Sequence, residues 1–330
     1  MQSTTLGASG LSVTAIGLGL AALGRPGYIN IGHSDDLQGL EIDSLQNQTH
    51  RVLDDAWELG IRYFDAARSY GLAERFLGSW LAARSISAAE VTVGSKWGYT
   101  YTAAWQVQAQ EHEVKQHSLS VLKRQTHESR KELGLHLDLY QIHSATLDSG
   151  VLENAAVLGE LARLKTGGLQ IGLSLSGPQQ AETLTKALRI EHAGQPLFDT
   201  VQATWNVLES SAGAVLMEAH LAGMGIIIKE ALANGRLTAR NTQPSFAKQL
   251  ELLSALAETY DCSMDAIALA YILAQDWVDV VLSGASTPEQ LRSNVQALQV
   301  KLAPSDRAAL SELSESPHEY WRFRSSLVWN

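Results

Sequence analysis

Eight short runs of apolar and β-branched residues alternate with longer segments of helical period, and this alternation predicts an α/β protein with a (β/α)8 barrel. Two observations favour this closed barrel, of the TIM type, over an open doubly wound sheet. Only Gly17 and Gly19 match the G-x-G-x-x-G pattern after the first strand, and polar residues end several different strands. No linker rich in proline, glycine or serine divides the chain, so we expect residues 1–330 to form a single domain.

The individual elements follow from the same alternation. The strands are predicted at residues 13–17, 61–65, 91–96, 138–143, 171–176, 201–205, 226–229 and 280–284. The helices are predicted at residues 49–59, 73–83, 118–133, 152–164, 179–188, 214–222, 245–260 and 288–298. Three long connections, at residues 25–46, 98–116 and 233–243, and the tail after residue 311 lie outside this alternation. Long connections commonly border a functional site, and the aromatic C-terminal tail is expected to pack across the barrel.

Composition and charge exclude several classes of function. Hydrophobic residues make up 45% of the chain and the mean hydropathy is -0.06, as in a globular protein with a large core. The formal net charge is -10, so nonspecific nucleic-acid binding is not expected. The chain has one cysteine, Cys262, and neither a signal peptide nor an apolar run near the ~20 residues that span a bilayer. We expect a cytoplasmic protein that binds a small molecule and has no membrane or nucleic-acid partner.

Four polar residues end three successive predicted strands, the second to the fourth. In chain order they are Asp65, Tyr70, Lys96 and His143. A free phenol has a pKa near ~10, and a neighbouring ammonium lowers that pKa, so Lys96 could make Tyr70 a proton donor. Asp65 could hold Lys96 in place, and His143 could donate a hydrogen bond to a carbonyl oxygen. The group offers no nucleophile and no metal site, so it predicts reduction of a carbonyl by hydride from another molecule.

Several segments, in order along the chain, resemble the motifs of one enzyme family. They are residues 6–13, which resemble an N-terminal β-hairpin under the barrel, and residues 60–65, 69–71, 74–78, 93–96 and 137–143. Together they resemble the aldo-keto reductase superfamily over nearly the whole chain. The resemblance implies an NAD(P)(H)-dependent oxidoreductase that acts on aldehydes, ketones or aldoses and belongs to class EC 1.1.1.-. It also implies that Tyr70 is the acid, that Lys96 and Asp65 tune it, and that His143 orients the substrate.

The same resemblance implies a set of cofactor-binding residues. They are Gly19, Asp65, Ser174, Gln202, Lys229, Leu232, Gly284, Ser286, Gln290 and Asn294. Ser174 and Gln202 would bind the nicotinamide carboxamide, and Ser286 would contact the 2′-phosphate at a helix N-terminus. The Gly284-Ala285-Ser286 pattern favours NADP(H) over NAD(H).

The seventh strand departs from the family pattern. Lys229 stands where the family has an aromatic residue that stacks on the nicotinamide, and Glu230 stands where it has a serine. A Lys229–Glu230 ion pair, or a contact of Lys229 with a phosphate, would each compensate for the change.

The substrate pocket is predicted from aromatic residues after the third strand. Trp97, Tyr99 and Trp105 could line an aromatic mouth, which Trp205 and the tail would complete. Such a mouth suits small aldehydes, ketones or sugars.

Two other functions remain open from the sequence. A redox-sensing subunit would bind its cofactor tightly and turn over slowly, and an NAD-linked sugar dehydrogenase would run the chemistry in reverse. The chain is expected to be a monomer or a small homo-oligomer.

Overall fold

The computed structural model describes residues 1–330 and contains eight parallel strands that close into a barrel. In chain order the strands are β1 (Ser3–Thr5), β2 (Ser12–Thr14), β3 (Ile16–Gly19), β4 (Tyr63–Asp65), β5 (Thr92–Trp97), β6 (Tyr99–Tyr101), β7 (Glu113–Lys115), β8 (Leu137–Ala145), β9 (Gln170–Leu175), β10 (Glu191–His192), β11 (Gln195–Pro196), β12 (Thr200–Thr204), β13 (Gly225–Lys229) and β14 (Val280–Ser283). The barrel runs β3, β4, β5, β8, β9, β12, β13, β14 and returns to β3. The predicted (β/α)8 barrel is confirmed.

Twelve helices accompany the strands. They are α1 (His33–Asp36), α2 (Ile42–Glu58), α3 (Ala73–Ala83), α4 (Leu119–Leu133), α5 (Ala155–Thr166), α6 (Gln180–Ala187), α7 (Gly213–Leu221), α8 (Ala247–Thr259), α9 (Met264–Leu273), α10 (Pro288–Val295), α11 (Pro304–Ser311) and α12 (Pro317–Ser326). Helix α9 is absent from the helices that the sequence predicts. Seven of its ten residues are buried, so it lacks the polar stripe that marks an amphipathic helix. No helix is both long and apolar enough to span a bilayer.

The N-terminal hairpin closes the bottom of the barrel and shifts the first predicted strand. Strands β1 and β2 pair antiparallel, with Ser3 opposite Thr14, so the barrel strand begins only at Ile16 and not at residue 13. The hairpin lies against the start of β13, where a Cβ on Gly7 would meet the backbone nitrogen of Gly225 at 2.4 Å. With a φ of +51° as well, this position requires glycine.

Side chains alternate along each barrel strand between the interior and the surrounding helices. On β4, Tyr63 belongs to the small cluster inside the barrel, whereas Phe64 packs outward against Trp80 of α3. The same alternation on β5 directs Lys96 inward and Trp97 outward. Interior polar side chains therefore gather at the carboxyl ends of the strands.

The C-terminal tail packs across the carboxyl end of the barrel, as the sequence predicts. Tyr320 and Trp321 of α12 are buried, and the Tyr320 hydroxyl accepts a hydrogen bond at 3.0 Å from the Asn206 amide. Beyond the helix, Asn330 pairs with Tyr28 through two backbone hydrogen bonds of 3.0 and 3.1 Å. The tail thus borders the same end of the barrel as the polar residues.

Candidate active site

A buried ion pair anchors the carboxyl end of the barrel. Lys96 on β5 donates to the Asp65 carboxylate on β4 and, at 3.0 Å, to the backbone oxygen of Ala66. Asp65 also accepts hydrogen bonds from the Tyr63 hydroxyl at 3.1 Å and from the Gln202 amide at 2.9 Å. Lys96 and Asp65 are both almost wholly inaccessible to solvent. Separating the two side chains would leave both charges buried and unpaired, which is strongly unfavourable. The ion pair therefore holds both side chains in place.

Tyr70 and His143 complete the cluster that the sequence predicts. The Lys96 ammonium lies 5.0 Å from the centre of the Tyr70 ring. The Tyr70 and His143 rings meet edge to face, with their centres 5.4 Å apart. A carboxylate, an ammonium, a phenol and an imidazole therefore lie together at one end of the barrel.

The pKa of Tyr70 differs from the expectation that Lys96 lowers it. Burial raises the pKa of the phenol above its ordinary value of 10.0, and the Asp65 carboxylate raises it further. The cation that opposes this rise is Arg25, whose guanidinium carbon lies 5.5 Å from the ring centre. The Lys96 ammonium forms a direct ion pair with Asp65, so the carboxylate largely offsets the effect of Lys96 on the pKa of Tyr70. Tyr70 consequently keeps its proton at neutral pH.

His143 is held as a neutral imidazole. Burial lowers the pKa of His143 well below 6.5, and the charges of Lys96 and then Lys229 lower it further. Its Nδ1 atom faces the Ser69 hydroxyl at 3.4 Å. The Nε2 atom is therefore the ring nitrogen left to face a substrate.

Asp65, Tyr70 and His143 line a cavity of about 520 Å³ at the carboxyl end of the barrel, and Lys96 is fully buried behind its wall. Eight of the residues predicted to bind a cofactor are in its wall: Gly19, Asp65, Gln202, Lys229, Leu232, Gly284, Gln290 and Asn294. A Cβ built on Gly284 would have no neighbour within 4 Å, so the backbone of the strand-to-helix turn borders open space. A cavity of this size, with an exposed turn at one end and the Tyr70–His143 pair at the other, fits a dinucleotide.

Two predicted cofactor residues lie behind the wall. Ser174 is fully buried, and its hydroxyl accepts a hydrogen bond at 2.8 Å from the backbone nitrogen of Ser144. Ser286 is also buried and donates at 2.9 Å to the Asp36 carboxylate. Both hydroxyls therefore already have protein partners.

Lys229 and Glu230 do not form the ion pair that the sequence left open. Glu230 pairs instead with Arg324 of α12, whose NH2 group lies 2.8 Å from the carboxylate. The Lys229 ammonium donates at 2.8 Å to the Thr204 hydroxyl. Burial would raise the pKa of Glu230, but Arg324 and then Lys229 outweigh it and lower the pKa to about 2.

Several residues of the predicted aromatic mouth lie outside the cavity wall. Trp97 points outward from β5 and packs on His117 with ring centres 5.6 Å apart, as the strand alternation requires. Trp105 donates to the backbone oxygen of Leu40 at 2.6 Å, and Trp205 stacks on Tyr271 in the core. None of these, nor Tyr99, is in the cavity wall. Tyr99 nevertheless contacts the site, since its ring centre is 5.0 Å from that of His143.

The residues that do flank Tyr70 come from the long connections and the tail. Arg25 is buried and binds Glu113 at 3.0 Å, and its guanidinium carbon lies 4.5 Å from the Trp329 ring. Trp329 in turn stacks on His112 with ring centres 4.0 Å apart. The length of these connections signalled that they border the site, but no local pattern singled out Arg25 or Trp329.

A closed (β/α)8 barrel with this polar cluster beside a dinucleotide-sized cavity defines a barrel oxidoreductase. Residues 15–315 match the Aldo/keto reductase family, and the chain belongs to that family. Members of the family act with nicotinamide cofactors. No group of three or more His, Cys, Asp or Glu side chains is arranged to hold a metal ion.

Known proteins of this family are similar to the chain over most of its length. The L-glyceraldehyde 3-phosphate reductase of Escherichia coli (strain K12) is 28% identical over 332 residues, which cover 90% of this chain and 88% of that protein. The NADH-specific methylglyoxal reductase of the same organism is 25% identical over 350 residues, covering 96% of this chain and 99% of that protein. Among solved structures, the aldo-keto reductase AKR11C1 from Bacillus halodurans (holo form) has a TM-score of 0.73 at 24% identity and covers 96% of this chain and 97% of its own. This structural similarity supports the assignment of the (β/α)8 barrel fold.

Proposed function

We propose that the chain reduces the carbonyl group of a small aldehyde or ketone to an alcohol, with a nicotinamide dinucleotide as the second substrate. The observation that carries the proposal is that one cavity holds both the Tyr70–His143 pair and the exposed turn at Gly284. When bound, the nicotinamide supplies the hydride that no side chain of the protein can provide.

Each residue of the cluster has a distinct role in the proposed reaction. Tyr70 keeps its proton at neutral pH and gives it to the carbonyl oxygen as that oxygen gains negative charge. The Arg25 guanidinium, 5.5 Å from the ring centre, stabilises the phenolate that remains, and the Lys96 ammonium at 5.0 Å adds to this effect. His143 donates a hydrogen bond from Nε2 and fixes the direction of the carbonyl. Asp65 keeps Lys96 in place.

A small carbonyl compound is the substrate class that the surroundings of Tyr70 support. Arg25, Tyr28 and Trp329 line the same cavity as the phenol, and the Arg25 guanidinium packs on the rings of Tyr28, Tyr70 and Trp329. The Escherichia coli relatives are reductases of L-glyceraldehyde 3-phosphate and of methylglyoxal, which are both small aldehydes. The preference for NADP(H) that the sequence favours stays a prediction, and the charges around Ser286 argue against it.

Oxidation of NADH and NADPH with a panel of small aldehydes, including methylglyoxal and L-glyceraldehyde 3-phosphate, tests the proposal. In Tyr70→Phe we expect kcat to fall by at least about 100-fold while nucleotide binding is retained, because only the transferable proton is lost. The matched control is Tyr260→Phe, which removes a phenol hydroxyl bonded to Asp306 outside the cavity. Equal turnover by wild type and Tyr70→Phe would exclude this role for Tyr70. Rapid multiple turnover by the wild type would count against a slow redox-sensing subunit.

A further inference from the structure

A buried carboxylate lies behind the turn that the sequence assigns to the adenosine phosphate. Asp36, at the end of α1, is 7% exposed. Its Oδ2 atom accepts hydrogen bonds from the Ser286 hydroxyl at 2.9 Å and from the Gln290 amide at 2.8 Å. Two predicted cofactor residues at this end of the cavity are thus bonded to an anion that belongs to the protein itself.

The cation beside Asp36, Arg240, is paired with that carboxylate. Arg240 donates from NH1 to Oδ2 of Asp36 at 2.8 Å and from NH2 to Oδ1, which makes a bidentate pair. Gln48 links the segment of Asp36 to the turn that contains Ser286. Its amide donates to the backbone oxygens of Asp36 at 2.9 Å and of Ser286 at 2.8 Å. The pair contributes no net positive charge to the cavity.

No free cation is available nearby to replace Arg240. Arg292, the other basic residue close in sequence, forms an ion pair with Asp55 and does not line the cavity. The cavity wall near Gln290 instead contains two further carboxylates, Asp265 and Glu289. This end of the cavity therefore has an excess of negative charge.

We propose that Asp36 makes the cavity select NAD(H) over NADP(H), an inference that rests on the proposed function. A 2′-phosphate carries a charge of about -1.5 to -2, so it would compete with the Asp36 carboxylate for Arg240 and would be repelled by that carboxylate. A neutral 2′-hydroxyl requires no such change. In dinucleotide-binding sheets an acidic residue bonded to the ribose accompanies NAD and an arginine accompanies NADP. Asp36 lies behind the cavity wall and would act through its charge instead.

Binding titrations of NADH and NADPH to the intact protein, by calorimetry in the absence of a carbonyl substrate, test the inference. For the wild type we expect NADH to bind at least about ten-fold more tightly than NADPH. In Asp36→Asn we expect NADPH affinity to rise by about ten-fold and NADH affinity to change by less than about two-fold, because Arg240 is released for the phosphate. The matched control is Asp43→Asn, which removes an exposed charge from α2 outside the cavity wall and should leave both affinities unchanged.

A second variant covers the possibility that Asp36→Asn does not fold. Gln290→Arg adds a cation at the cavity wall while Asp36 stays in place, and it should also raise the affinity for NADPH relative to NADH. Tighter binding of NADPH than of NADH by the wild type would overturn the inference while the proposed function stands. An unchanged affinity ratio in the folded variants would overturn it too. Failure of the wild type to bind either nucleotide would overturn the proposed function together with the inference.

Discussion

At the scale of single residues, Lys229 shows how burial changes the ordinary chemistry of a side chain. Its ammonium donates to the Thr204 hydroxyl at 2.8 Å, and the side chain lines the cavity. Burial lowers the pKa of Lys229 from 10.5 to about 8, although the neighbouring Glu230 opposes this shift. The ammonium is therefore charged at pH 7 and loses its proton as the pH rises through about 8.

This titration predicts a pH dependence of cofactor binding. If Lys229 contacts a phosphate, NADH should bind about five-fold more weakly at high pH, since one charge contact at this half-buried site contributes on the order of 1 kcal/mol. Fluorescence titrations with NADH on either side of pH 8 measure the change. In Lys229→Met the affinity should be lower and independent of pH, whereas exposed Lys301→Met should behave as the wild type. A wild-type affinity that is the same at both pH values would exclude the contact.

At the scale of elements, the tail helix α12 is tied to the barrel by one ion pair. Arg324 of α12 binds Glu230, directly after β13, with NH2 and Nε at 2.8 and 3.2 Å from the same carboxylate oxygen. Glu230 is buried and has a φ of +52°, and its backbone oxygen accepts a hydrogen bond from Asn206 at 2.9 Å. The ion pair therefore holds both the tail and a strained turn at the edge of the cavity.

Loss of the Arg324 guanidinium should destabilise the protein. In Arg324→Met we expect the free energy of unfolding to fall by about 2 kcal/mol, because Glu230 loses its main cationic partner while it stays buried. Urea unfolding measures the change, and Arg322→Met, which removes an exposed charge from the same helix, is the control. Arg324→Met/Glu230→Gln should regain part of the loss, since it also removes the unpaired charge. Equal stability of Arg324→Met and Arg322→Met would mean that the pair does not anchor α12.

The sequence predicted those elements and residues that a pattern of neighbouring residues along the chain indicates. The barrel strands and the cluster around Lys96 follow from alternation and from polar residues at strand ends, whereas the N-terminal hairpin was implied by the family resemblance. Helix α9 was missed because a wholly buried helix has no polar stripe, and Trp97 was misplaced because the inward or outward register of β5 was not applied to it.

Contacts between distant segments could not be predicted in this way. Asp36 meets Ser286 across 250 positions of sequence, and Glu230 meets Arg324 across 94. No composition or spacing near any of these residues indicates its partner, since only the packing of a connection and of the tail over the closed barrel brings the segments together.

At the scale of the whole molecule, buried neutral histidines limit stability in acid. His33 is fully buried, neither ring nitrogen has a hydrogen-bond partner, and its edge faces Tyr28. Burial lowers the pKa of His33 from 6.5 to about 4; Asp36 opposes the shift, while Arg25 and Arg240 add to it. Above pH 6.5 neither the folded nor the unfolded state binds a proton at this residue. Below it only the unfolded state does, so stability falls from pH 6.5 down to about 4.

His33→Phe should reduce this acid sensitivity. The pKa difference corresponds to about 3 kcal/mol, so the decrease in the free energy of unfolding between pH 7 and pH 4 should be smaller by about that amount. Denaturant unfolding at both pH values measures it, and His318→Phe, at an exposed position, is the control. The same decrease in His33→Phe as in the wild type would show that His33 is not the group that titrates.

That residues 1–330 form a single domain also stays a prediction, and coincident unfolding transitions by two spectroscopic probes would support it.

A crystal structure of the protein with NADH tests the central claim most directly. We predict that the nicotinamide end lies beside Tyr70 and His143, and that the adenosine end lies against the turn at Gly284 with its 2′-hydroxyl towards the Asp36–Arg240 pair. A dinucleotide bound outside this cavity, or bound with its nicotinamide away from the Tyr70 hydroxyl, would contradict the account.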